Sequence, residues 1–198
     1  MLVKLAVLFS GNGSNLENIL EKLHKKTIGE NTYEVVLCIC NKKDAFGVQR
    51  AKKFGLDTVI VDHKAYNTRE EFDTILVQKI KESGANLTVL AGFMRILSPV
   101  FTKNIKAINL HPSLLPLFKG AHAIKESYES DMKVAGVSVH WVSEELDSGM
   151  IIAQKAFEKR NLSFEEFEEK IHSLEHEILP LSVIEIFLKE LKVFALKL

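Results

Sequence analysis

Asn109 and His111 stand two apart in the segment NLHPSLLP, residues 109–116, directly after a short apolar run. If that run is a strand whose geometry persists, both side chains project to one side. An asparagine amide donates a hydrogen bond to an oxygen that is gathering negative charge. An imidazole moves protons near neutral pH. Pro112 and Pro116 stiffen the segment and would hold both groups in place. The same residues would also serve as a capped turn with a structural histidine. Asp147, in SEELDSGMI (residues 143–151), falls just before Gly149 in a loop between two expected strands. A carboxylate beside His111 would orient the imidazole and favour its charged form, although spacing does not bring the two together. Glu144 and Glu145 of the same loop read as solvated charges.

Two further segments suit ligands. In FSGNGSNL, residues 9–16, Gly11 and Gly13 let the backbone approach a ligand. Gly13, Ser14 and Asn15 would present backbone N–H groups at the positive end of a following helix, which is chemistry for a phosphate. A third glycine of the dinucleotide fingerprint is missing, as is the lysine of a P-loop. A plain strand-to-helix turn is the alternative. AGFMRILSP, residues 91–99, leaves the C-terminal end of an expected strand, where open parallel sheets bind ligands. Met94, Ile96 and Leu97 could wall a flat apolar ring while their backbone groups read its edge, or the segment simply covers the core.

The elements that must position these residues are legible in outline. Apolar strands are expected at 5–9, 33–40, 58–61, 87–91 and 107–110. Amphipathic helices are expected after a cap at Ser14 or Asn15, with Leu16, Ile19, Leu20 and Leu23 at helical spacing, at 45–54, ending at Gly55, and at 70–83, ending at Gly84. Continuous apolar strands alternating with helices predict an α/β fold, an open, mostly parallel sheet with helices on both faces. After Pro116 the pattern changes. A helix at 122–130 precedes strands at 134–142 and 150–157, which predict an antiparallel edge. Residue 164 to the end reads as long helix interrupted near Pro180. The chain is expected to be one domain. Its first half, to about residue 100, would carry the phosphate turn, and its second half the catalytic and ring-binding segments.

The 198 residues include 26 basic and 26 acidic side chains, for a formal net charge of zero. Counterion-driven nucleic-acid binding needs a basic excess or stripe, so no nucleic-acid partner is expected. No apolar run is long enough to span a bilayer, and no signal peptide is visible, so a cytoplasmic location away from membranes is expected. Cys38 and Cys40, two apart in an apolar strand, read as buried thiols in a reducing compartment. No third or fourth ligand accompanies them, and no metal is expected.

Taken together, SGNGSNL, AGFMRILSP, NLHPSLLP and the ELD loop resemble the folate-dependent phosphoribosylglycinamide formyltransferases, in the family's order and spacing, from residue 5 to about 181. The resemblance implies transfer of a formyl group from 10-formyltetrahydrofolate, as co-substrate, to the amine of 5'-phosphoribosylglycinamide in purine synthesis. It implies Asn109, His111 and Asp147 as the catalytic trio. Gly13, Ser14, Asn15 and Glu175 would hold the ribonucleotide. Met94, Arg95, Ile96 and Leu97, with Asn109, Ser143, Glu144, Glu145, Leu146 and Asp147, would cradle the folate, and Arg69 would contact it. His140 matches a family histidine close to the site but on a strand reads as structural. His172, Ser173 and Leu174 stand where many relatives carry glutamines, so nothing is carried over to them. Lys119, in FKGAH, reads either as support for an anion or as a solvated lysine. The other histidines receive no catalytic role. The expected assembly is a monomer or homodimer.

Rival readings differ in what meets the formyl carbon. A formyltetrahydrofolate deformylase would use water and would carry an extra N-terminal domain. A methionyl-tRNA formyltransferase would need an added C-terminal domain. A sugar N-formyltransferase would read a nucleotide sugar. A non-catalytic metabolite sensor would bind without turnover.

Overall fold

In the computed structural model, the backbone is described for residues 1–195 and the side chains for residues 1–188. The chain runs β1 (Leu2–Phe9), α1 (Ser14–Leu23), β2 (Lys26–Ile28), β3 (Asn31–Cys40), α2 (Phe46–Lys53) and β4 (Thr58–Ile60). A 3₁₀ turn (His63–Ala65) follows, then α3 (Arg69–Ser83), β5 (Leu87–Leu90), α4 (Pro99–Thr102), β6 (Ala107–His111) and α5 (Ala123–Glu129). The chain closes with β7 (Val134–Trp141), β8 (Ile151–Glu158) and α6 (Phe164–Ala195). The strands form one 8-stranded sheet in the order β2-β3-β1-β5-β6-β7-β8, with β4 also on β3. Pairing is parallel from β4 through β3, β1 and β5 to β6. It is antiparallel for β2 on β3 and along β6, β7 and β8.

The parallel core is buried on both faces because its strands are largely apolar on both sides. In β1, Val3, Leu5, Val7 and Phe9 enter one core with α1 and α6, while Ala6 and Leu8 enter the other with α3. That alternation is the period-2 geometry of a strand with no solvent face. Helix ends follow the local chemistry. Thr68 caps α3 by accepting the Glu71 N–H at 3.1 Å, and Glu71 returns its carboxylate to the Asn67 N–H at 2.9 Å. Ser163 and Glu166 exchange the reciprocal pair of a capping box at the start of α6. Gly84, at φ 68°, stops α3 in the left-handed conformation expected of it.

The expected break at Pro180 does not occur, and α6 runs unbroken through it. The end of that expected helix, residues 196–198, lies outside the described residues. Proline lacks the N–H that would bond the carbonyl four residues earlier, that of His176. Lys22 of α1 supplies the missing donor, its Nζ 3.0 Å from the His176 oxygen. The short β2, the 3₁₀ turn and the one-turn α4 were not foreseen. Each spans three or four residues, below the length at which periodicity can be read. Cys38 and Cys40 are free and buried, and burial pushes the Cys38 thiol up to about 12. Among the described residues no helix is long and apolar enough to cross a membrane.

Candidate active site

The parallel strands β1, β5 and β6 end together, with Leu8 paired to Leu90 and Leu90 to Asn109. The chain leaves β1 toward β3 on one side, while β5 and β6 lie on the other, so a crevice opens beyond these ends. A cavity of about 280 Å³ sits there, lined by residues 92–97, the end of β6, and residues 142–147. Met94, Ile96 and Leu146 stand at 66%, 53% and 44% exposure. Apolar side chains left this open around a cleft suit a flat apolar ring.

Asn109 and His111 lie on β6 as the spacing predicts, and the antiparallel partner β7 adds a third group. Asn109 pairs with His140 in the register, and its Nδ2 is 3.1 Å from His140 Nε2. His140 Nδ1 donates to the Trp141 carbonyl at 3.0 Å, which leaves Nε2 between Asn109 Nδ2 and the Asp147 carboxylate. Asp147 closes the cluster from the loop after β7. Its Oδ1 accepts from Asn109 Nδ2 at 3.4 Å and lies 3.6 Å from His140 Nε2. Its Oδ2 lies 3.5 Å from His111 Nδ1 and accepts the Gly120 N–H at 2.9 Å. The expected meeting of Asp147 with His111 is therefore present. Burial disfavours the Asp147 charge, but contact with His140, the Gly120 N–H and the neighbouring His111 outweigh it. The acid is held below its ordinary range.

Local geometry explains how this loop reaches in. Gly149 packs so tightly that a Cβ would fall 1.7 Å from the Trp141 carbonyl oxygen. Asp147 itself is at φ 48°, a conformation asparagine and aspartate tolerate better than most residues. Ser143 Oγ donates to the Glu145 carbonyl and Ser148 Oγ to that of Leu146, bracing the loop.

A segment that spacing arguments did not single out covers the pair. His111 Nε2 lies 2.8 Å from the Phe118 carbonyl, while Gly120 donates to Asp147. Both nitrogens of His111 thus face acceptors, which a doubly protonated ring satisfies. The Asn109 nitrogen is likewise taken up by His140 and Asp147. In this structure backbone and neighbouring side chains occupy both groups. Lys119 bonds Ser148 Oγ and lies 3.5 Å from Glu145, so it latches two loops together. Backbone partners such as Phe118 and Gly120 carry no side-chain signal, and only the glycine of FKGAH hinted at them.

The turn at residues 9–16 is a separate patch. Gly13 is at φ 75°, and a Cβ there would meet Gly47 Cα at 2.5 Å, so only glycine serves. Asn15 Nδ2 donates to Glu175 Oε2 at 3.1 Å, joining two residues 160 apart in sequence. Ser10 ties this patch to the cleft: its N–H donates to the Gly92 carbonyl at 3.0 Å, and its Oγ accepts the Met94 N–H at 2.8 Å. At the far end of the 94–97 segment, the Ser98 N–H donates to Asp73 Oδ2 at 2.5 Å. Arg95 lines the cleft. Arg69 is exposed at the start of α3 and is not among the cleft-lining residues. Glu144 pairs with Lys103 at 3.2 Å. Among the described residues, no three His, Cys, Asp or Glu side chains gather so as to hold a metal ion.

The formyl transferase family profile matches residues 3–183. The chain is 37% identical over 180 residues to phosphoribosylglycinamide formyltransferase of Bacillus subtilis (strain 168), covering 89% of this chain and 91% of that one. It is 42% identical over 181 residues to the trifunctional purine biosynthetic protein adenosine-3 of Gallus gallus, covering 90% of this chain but only 18% of that protein. The crystal structure of phosphoribosylglycinamide formyltransferase from Campylobacter jejuni subsp. jejuni NCTC 11168 superposes with a TM-score of 0.94 at 97% identity, covering 94% of this chain and 98% of that one.

Proposed function

The chain belongs to the formyl transferase family, and from that premise we propose that it transfers a formyl group from 10-formyltetrahydrofolate to the amine of 5'-phosphoribosylglycinamide. The observation that carries this is the Asn109–His140–Asp147–His111 cluster at the floor of an apolar cleft. The names of the full-length relatives support the acceptor. The products are formylglycinamide ribonucleotide and tetrahydrofolate.

In this reading the pterin lies between residues 94–97 and 143–147, and the phosphate at residues 13–15. The amine attacks the formyl carbon, and the carbonyl electron pair moves onto oxygen. Asn109 and His111 turn the donors now given to Asp147 and the Phe118 carbonyl toward that oxygen. One well-placed donor of this kind contributes about 2.7–4 kcal/mol at the barrier. Asp147 holds His111 in position. The attacking amine loses a proton, the leaving folate nitrogen gains one, and the bond between that nitrogen and the formyl carbon breaks. Water beside Asp147 is the carrier we assign.

The test is an absorbance assay with 10-formyl-5,8-dideazafolate, with and without the ribonucleotide. Release of the deformylated product only when ribonucleotide is present is the expected result. Equal release without it would assign water as the acceptor. Binding of the ribonucleotide with no turnover would make the chain a sensor.

A further inference from the structure

The segment that closes over His111 and Asp147 is held by a strand that takes no part in the cleft. Residues 112–130 leave the end of β6, pass over β7 and β8, and return with the Phe118 carbonyl on His111 and the Gly120 N–H on Asp147. None of the residues lining the cleft belongs to β8. Yet β8 grips this segment at two points, one on either side of residues 118–120.

The first grip lies on the row of the sheet that starts at His111. His111 pairs with Ser138 in the register, and Ser138 with Gln154. Cross-strand partners share one face of a sheet, so the three side chains stand in line. Ser138 is fully buried. Its Oγ donates to the Ser113 carbonyl at 2.6 Å and accepts the Leu115 N–H at 3.0 Å. Gln154 Nε2 donates to that same Oγ and to the Leu115 carbonyl, each at 2.9 Å. Ser113 Oγ donates to the Leu117 carbonyl at 2.6 Å, one residue before Phe118. Side chains thus supply the partners that a strand would find in a ladder.

The second grip is Lys159, the first residue after β8. Its Nζ lies among the carbonyls of Ser127, of Tyr128 at 2.9 Å and of Ser130 at 2.7 Å, at the end of α5. The last carbonyls of a helix have no partner within it and carry the negative end of its dipole, so an ammonium there answers both needs. Tyr128 adds an O–H bond to the Leu162 carbonyl at 3.1 Å. A helix of seven residues is too short to stand on its own propensity, so these contacts set where α5 lies.

We propose that Gln154 and Lys159 are positioning residues for formyl transfer. From the edge strand they fix the two ends of the segment whose Phe118 carbonyl and Gly120 N–H hold His111 and Asp147. This rests on the reading of His111 and Asp147 as catalytic. The turn at residues 13–15 has its own supports, Asn15 on Glu175 and Arg50 on Asn12, and shares neither grip.

The experiment compares the native chain with Gln154→Glu and Lys159→Met. Glutamate keeps the shape of glutamine but sets an acceptor against the Leu115 carbonyl, and methionine keeps an unbranched stem without donors. For each protein, kcat and KM for the ribonucleotide are measured beside amide hydrogen exchange by NMR. The expected result is a kcat about 10–100-fold lower, with the ribonucleotide KM within about twofold of the native value. The Gly120 amide is expected to exchange about tenfold faster, while amides of β1 and β5 keep their native protection. Native protection of Gly120 in both variants would overturn the role of β8. Faster Gly120 exchange with native kcat would overturn the proposal through the catalytic reading of Asp147 on which it rests. A raised ribonucleotide KM with native kcat would overturn it as well. If Lys159→Met loosens the core amides too, Gln154→Glu, at an exposed position, decides.

Discussion

At the scale of single residues, the cluster is assembled by strand register. Asn109 and His111 share a side because they are two apart in β6, and this much is legible from spacing. His140 meets Asn109 because β7 pairs with β6 in one particular register, which no local pattern encodes. Asp147→Asn is expected to keep the Gly120 hydrogen bond and the fold while lowering kcat by about 10²–10⁴. Stopped-time product assays beside an unchanged near-ultraviolet circular dichroism spectrum would check it. Because the folded Asp147 pKa lies below 3.8, its charge is present above that value and lost only as pH falls further. A fall in native kcat at mildly acidic pH, measured by a pH–rate profile, therefore belongs to a different group. Asn15 and His172 both meet the Glu175 carboxylate, a convergence that folding alone creates and no local pattern encodes.

At the scale of elements, two tethers define the 94–97 segment: Met94 to Ser10 at one end and Ser98 to Asp73 at the other. Asp73 is fully buried on α3, and burial raises its pKa despite the Ser98 N–H. The acid therefore stabilises the fold less as pH climbs from 3.8 through its folded value. Asp73→Ala leaves the Ser98 N–H without its partner. It is expected to cost about 1–3 kcal/mol in urea unfolding and to raise KM for the formyl donor. The Pro180 position makes a paired test. Lys22→Met should cost about 1 kcal/mol in the native background. In Pro180→Ala, where an N–H returns to the His176 carbonyl, it should cost close to nothing, and a double-mutant cycle by urea denaturation measures the difference. The helix was legible from its apolar periodicity. Its continuity was not, because the rescuing donor lies on another helix, 154 residues away.

At the scale of the whole molecule, the class of fold is open to reading because the parallel strands are largely apolar on both sides and the helices between them are amphipathic. The antiparallel edge was foreseen from the change of pattern after Pro116, and β7 and β8 bear it out. The order of strands was beyond reach, since neighbours such as β1 and β5 are set by crossover connections rather than by sequence proximity. That order creates the crevice into which the 94–97 segment, the end of β6 and the 143–147 loop converge. The match to full-length relatives covers this whole assembly, from β1 into α6.

The buried cysteines turn the core into a clock. A thiol whose pKa is about 12 holds almost no thiolate at neutral pH, and Cys38 is also closed off from reagent by the sheet. Alkylation of the native enzyme should therefore proceed only through excursions that expose β3. With excess iodoacetamide, labelling of Cys38 followed by mass spectrometry would time those openings one molecule at a time. The rate should fall when ribonucleotide is added, since a ligand that binds only the closed chain makes each excursion rarer.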